Sequence, residues 1–156
     1  MQIEIIAIGQ KMPDWVNQGF ADYAARFAGD LSLNLHEIPL QKRSNANQLA
    51  TAQHKETAQV RAALQHCDYC VTLDIHGKEH SSEGLAKRLQ YWQENHRRLG
   101  LIIGGPEGIS QEIKSLANES WSLGKLTLPH PLVRVIIAEA LYRAWSINRH
   151  HPYHRA

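Results

Sequence analysis

Long apolar runs are missing from this 156-residue chain. Stretches such as Val135 to Ala138 and Leu99 to Ile103 fall far short of the roughly 20 residues that cross a bilayer, so no transmembrane helix is expected. Missing too are the positive n-region and small-residue cleavage site of a signal peptide. Residues Met1 to Gly9 alternate like a strand instead, and the expectation is a cytoplasmic protein. Cysteine is scarce: Cys67 and Cys70 are the only two. Their C-x-x-C spacing precedes the apolar run Val71 to Ile75 rather than opening a helix, which removes the helix dipole that activates a redox thiol. No second ligand pair stands at zinc spacing, since His66 and His76 do not supply one. Two ordinary thiols in a reducing compartment are expected. Neither G-x-x-x-x-G-K-[ST] nor G-x-G-x-x-G occurs, which removes the usual signatures of ATP and NAD sites. Charge of one sign is also sparse, with a net of only +2, well below the footprint of a dedicated nucleic-acid domain.

What is present is enough apolar residue, 43%, for one ordinary domain with a real core. Residues 2–9 read as a strand. A helix follows from Pro13-Asp14-Trp15, with Val16, Phe20, Tyr23, Ala24 and Phe27 at spacings of three and four. A strand over 31–38 and a long, polar, surface-lying helix over 44–65 come next. Strands over 69–75 and 99–104 flank a helix over 82–95. Ser110 caps a short helix reaching Asn118. A short strand around Trp121 to Leu128 leads to His130-Pro131, where proline opens a last helix to Asn148. Alternating strands and helices predict an α/β single domain over 1–156, with a mostly parallel sheet and helices on both faces.

Four segments carry candidate chemistry. Leu99 to Gly108 is an apolar strand running into a glycine-rich turn, the kind of place where ligands bind beyond the carboxyl ends of strands. Leu123-Gly124-Lys125-Leu126-Thr127-Leu128-Pro129 is an irregular apolar loop. Its free backbone groups suit an adenine edge while Leu126 and Leu128 pack on the ring. The last helix is apolar on nearly every face, which places it in a core or subunit interface. Within it Glu139 and Arg143 stand four apart, as a structural ion pair or as an anchor for a phosphate. From Lys125 onward five basic residues face Glu139 alone, a net of +4 that leaves −2 for the rest. That end should attract an anion. The terminal His151-Pro152-Tyr153-His154-Arg155 adds a stacking ring, proton carriers and a phosphate ligand suited to a single-stranded RNA loop.

Gly104 to Gly108, Ser120 to Leu123, Leu126 to His130, Arg134 to Trp145 and His151 to Arg155 together resemble the ribosomal large-subunit methyltransferase H family of the SPOUT class. Lys11 to Trp15 and the length fit as well, and the cysteine pair lies outside the resemblance. It implies a trefoil-knotted fold, a homodimer, and S-adenosylmethionine-dependent methylation of N3 of a pseudouridine in a 23S rRNA stem-loop on assembled ribosomes, with no metal. Carried over by position, Leu73, Gly104 and Leu123, Gly124, Lys125, Leu126, Thr127 and Leu128 would hold the cofactor. Gly124 and Lys125 depart from the family's usual residues, which matters little if the loop binds through backbone. Tyr153, His154 and Arg155 would engage RNA at the other subunit's cofactor. In the mechanism this implies, Arg155 and Arg143 hold the phosphate or base anion, Tyr153 stacks on or hydrogen-bonds the base, and His154 or alternatively His130 removes the N3 proton. A SPOUT enzyme acting on tRNA and a non-enzymatic ribosome-assembly factor are the rival readings.

Overall fold

Alternation along the first strand, β1 (Gln2–Ile8), decides the layering. In the computed structural model, which describes residues 1–155, Ile3, Ile5 and Ala7 enter one core while Ile6 and Ile8 enter another on the opposite side of the sheet. A strand buried on both faces marks a parallel sheet covered twice by helices. The other strands are β2 (Ser32–Ile38), β3 (Tyr69–Glu79), β4 (Arg98–Ile103) and β5 (Glu119–Ser122). All pair in parallel, in the order β2-β1-β4-β3-β5.

Helices α1 (Asp14–Arg26), α3 (Ser82–Asn95) and α5 (His130–Asn148) cover one face. Phe20, Leu89, Trp92, Ile137 and Leu141 pack there with Ile3, Leu99 and Leu101. Helices α2 (Ala46–Leu64) and α4 (Gln111–Leu116) cover the other, where Val60 and Ile113 join Ile6, Ile102 and Cys70. Capping fixes several starts: the Asn45, Ser81 and Ser110 side chains accept from the backbone N–H of Gln48, Gly84 and Ile113, meeting donors that a helix leaves orphaned. No helix among the described residues is long and apolar enough to cross a membrane.

Three boundaries differ from the periodicity. β3 runs on to Glu79, with its pairing to β5 shifted between Leu73 and Lys78. Gly77 makes this fit, because a Cβ there would lie 2.8 Å from the Ser120 and Trp121 backbone. β5 begins earlier, at Glu119, and stops at Ser122. The Ser122 hydroxyl accepts from Gly124 N–H at 3.1 Å, closing a turn that takes the following apolar residues out of the ladder. The carboxyl-terminal segment, a place where chains normally fray, forms a 3₁₀ turn over Pro152–His154 with the Tyr153 ring edge-on to Tyr142 at 4.7 Å.

Candidate functional site

The carboxyl ends of β1 and β4 are neighbours in the sheet, and beyond them opens a cavity of about 460 Å³. This is within the range of roughly 300–1,000 Å³ for small-molecule sites, in the position that open α/β sheets favour. Ile8 ends β1 and Gly9 follows it, Leu73 comes from β3 and Ile103 from β4, with Gly104 in the turn after β4. Thr127, Leu128 and His130 close it from the loop before α5 and the first turn of that helix.

Gly104 contributes by having no side chain. A Cβ would lie 2.6 Å from the carbonyl carbon and oxygen of Gly108, where the turn folds back and Gly108 N–H donates to Gly105 O at 2.9 Å. Gly108 itself holds φ at +77°, a left-handed conformation that glycine adopts without cost. The result is a cradle of bare backbone against apolar walls, which fits a flat heteroaromatic ring such as adenine.

His130 sits at the rim with Nδ1 2.9 Å from Gly104 O, and its Nε2 accepts from Arg134 Nε at 2.8 Å. Arg134 is wholly buried and also donates to Glu37 at 2.6 Å and to Gly9 O at 2.9 Å. Burial pushes His130 below the ordinary imidazole value, and the neighbouring guanidinium acts in the same direction.

A second cleft of about 190 Å³ meets the other end of the same loop and is lined by Leu123, Gly124, Glu139 and Arg143. Arg143 donates twice to Glu139 Oε1, at 2.9 and 2.7 Å, and Tyr153 Oη donates to the same oxygen at 3.0 Å. Burial, then Tyr23 and Glu139, push the Tyr153 phenol well above its usual value, so it remains a neutral donor. His154 is half-buried, and its Nδ1 has no hydrogen-bond partner among the described residues. Arg155 is exposed.

Most of the cofactor residues singled out from the sequence, together with Arg143, therefore fall into two groups. Leu73, Gly104, Thr127 and Leu128 meet in the cavity, while Leu123, Gly124 and Arg143 meet in the cleft. Lys125 and Leu126 join neither, and Leu126 is 78% exposed rather than packed beside Leu128. Carboxylates from outside the tail answer half of its net +4, Glu37 pairing with the buried Arg134 and Asp30 with Arg149 at the surface, while Arg143 pairs within the tail with Glu139. Sequence reasoning missed the roles of Arg134 and Glu37. No local signal sets Arg134 apart, since Arg143 on the same helix also stands four residues after a potential partner. Cys67 and Cys70 are free, and burial pushes both thiols up, Cys70 to about 12, the opposite of an activated pair. No group of three or more potential metal ligands occurs among the described residues.

A family model described as "Predicted SPOUT methyltransferase" matches residues 1–154. A relative from Dichelobacter nodosus, named ribosomal RNA large subunit methyltransferase H, is 68% identical over 156 residues, with 100% of both chains covered. Among solved structures, a probable methylase family protein from Haemophilus influenzae superposes with a TM-score of 0.58 at 12% identity, covering 99% of this chain and 70% of that one. A probable methyltransferase from Bordetella pertussis gives a TM-score of 0.56 at 12% identity, over 91% of this chain and 95% of that one. At such identities the likeness to the two structures is one of fold.

Proposed function

We propose a function that starts from the family: the chain belongs to the SPOUT methyltransferases and, within them, to the ribosomal RNA large subunit methyltransferase H family. Our reading is a cytoplasmic, S-adenosylmethionine-dependent enzyme that methylates N3 of a pseudouridine in 23S rRNA on the assembled ribosome. The observation that carries it is the glycine-floored cavity at the ends of β1 and β4, reached by Leu73, Gly104, Thr127 and Leu128. These residues would hold the cofactor, which when bound supplies a methyl group on an already activated sulfonium.

The chain's own residues then position the base, hold charge and move one proton. Arg143 is kept aimed into the cleft by Glu139 and stays fully charged, which suits it to a phosphate or to the anion left by N3 deprotonation. Tyr153 offers its ring and a hydroxyl that donates rather than accepts a proton. His154 is the proposed base, and Arg155 the exposed phosphate ligand. Replacing His154 by Gln should lower turnover far more than cofactor affinity. Unchanged turnover would remove it from the mechanism.

Within one chain these groups stand apart. Tyr153 docks against Glu139, nine residues along α5 from His130, a separation of about 14 Å along the helix axis. A homodimer in which one chain's tail meets its partner's cavity closes that gap. Exposed Trp15 and Leu132 support the homodimer, since each lies one turn before the packed pair Gly19 and Val135 of α1 and α5. The family's trefoil threading belongs to the same reading.

Deleting residues 152–156 is the discriminating experiment. Methylation of ribosomes should be abolished while S-adenosylmethionine still binds; methylation of tRNA by the truncated chain would favour the tRNA reading, and a full-length chain that binds no cofactor would favour the assembly factor. With so little net charge, recognition should depend on a composite ribosomal surface, so efficient methylation of a bare stem-loop would count against the ribosomal reading.

A further inference from the structure

Arg134 is a charged residue the mechanism leaves unused, and its complete burial demands a reason. A guanidinium taken out of water is tolerated only where its donors are met by charge and by well-placed acceptors. Here Nη1 donates to Glu37, Nη2 to Gly9 O and Nε to His130 Nε2. The imidazole continues the chain to Gly104 O. Gly9, Gly104 and His130 all line the cavity, so one buried side chain ties the ends of β1 and β4 and the start of α5 to Glu37 on β2.

The directions of these bonds locate the proton on the ring. A guanidinium nitrogen only donates, so His130 Nε2 is the acceptor and carries no hydrogen. A carbonyl oxygen only accepts, so Nδ1 carries the single ring proton. The charged groups facing the ring are Arg134 from its own helix and Glu37 from β2, with burial and the arginine both opposing a second proton.

We infer that Arg134 and His130 form a positioning relay, in which the arginine holds His130 as the neutral Nδ1–H tautomer and His130 anchors the Gly104 carbonyl, setting the backbone cradle of the cavity. His130 is thereby removed as a base: its one lone pair already accepts from Arg134, and no nitrogen is left to take a proton from N3. The part that concerns the cofactor rests on reading the cavity as the S-adenosylmethionine site.

Two measurements on the full chain test this. Side-chain ¹⁵N NMR without cofactor, with His130→Asn to assign the resonance, should show His130 at pH 7 as the neutral Nδ1–H form. An Nε2–H tautomer or an imidazolium would overturn the relay. Calorimetric titration with S-adenosylmethionine is then combined with turnover for wild type, His130→Asn and His130→Ala. Asparagine keeps a donor toward Gly104 and should hold cofactor affinity within about threefold, whereas alanine should weaken it about tenfold, the worth of one net hydrogen bond. Turnover at saturating cofactor should fall by less than affinity in the alanine variant. A fall in turnover of about a hundredfold in both variants with affinity intact is the signature of a general base and would overturn the inference. Wild type that binds no S-adenosylmethionine would overturn the cofactor role of the relay together with the reading of the cavity, and the NMR result tells that failure apart from a wrong tautomer.

Discussion

Replacing Gly104 by Ala would set a methyl group 2.6 Å from the Gly108 backbone. The turn has to open to admit it, so the variant should fold with wild-type circular dichroism yet lose most of its S-adenosylmethionine affinity by calorimetry. Full affinity would mean that the cradle is not where the cofactor lies. At this scale the sequence was legible where the chemistry is local: a glycine-rich turn after an apolar strand announces a place where ligands approach backbone. Arg134 was illegible for the opposite reason. Its partners Gly9, Glu37 and His130 come from three elements, the most distant 125 residues away, and nothing in the local pattern separates a buried arginine from one in a basic tail. The cysteines behave as their context suggests. With Cys70 buried and its thiol pushed up to about 12, iodoacetamide at pH 8 should modify Cys67 well before Cys70. Equal rates by mass spectrometry would contradict the burial argument.

Among the elements, β2 and α5 are joined by the most deeply buried charge in the described fold. Removing Glu37 leaves the Arg134 guanidinium, 0% exposed, without its counter-charge. Because the Glu37 side chain is itself 33% exposed, Glu37→Ala should destabilise at the lower end of the range for a broken buried pair, about 3 kcal/mol by urea unfolding. A change under about 1 kcal/mol would show that water replaces the carboxylate. The order and type of the elements are readable from periodicity, and the last helix, apolar on nearly every face, announces its burial. Misplaced were the ends of the two strands that flank the site. Periodicity extends β5 to Leu128 because its loop is as apolar as a strand, whereas Ser122 turns the chain and frees that loop to line the cavity. Periodicity ends β3 at Ile75, where the apolar run stops, although Lys78 and Glu79 resume the pairing with β5 past the irregularity. Apolar backbone released from the sheet, and polar backbone retained in it, invert the usual pattern at the place where a ligand would bind.

For the molecule as a whole, pH links the site to stability. Burial leads in lowering the folded-state pKa of both His130 and His80 below the ordinary imidazole value. A depressed folded pKa contributes stability that is present above the unfolded value of about 6.5 and is lost as pH falls through the folded one. Urea midpoints should therefore drop between pH 7 and 5, and drop less in His130→Asn; identical pH profiles for the two proteins would rule out a neutral buried His130 as the cause. The parallel sheet and its two helical layers were within reach of the sequence. Strand order was not, since β4 inserts between β1 and β3 through contacts that periodicity does not encode. The central claim concerns what this scaffold does to RNA, and it is tested most directly by transfer of a labelled methyl group from S-adenosylmethionine to purified ribosomes lacking the modification, followed by mass spectrometry of the 23S rRNA. The account predicts one methyl group, on N3 of a pseudouridine. Cofactor binding by an intact dimer without any transfer to the ribosome would contradict it.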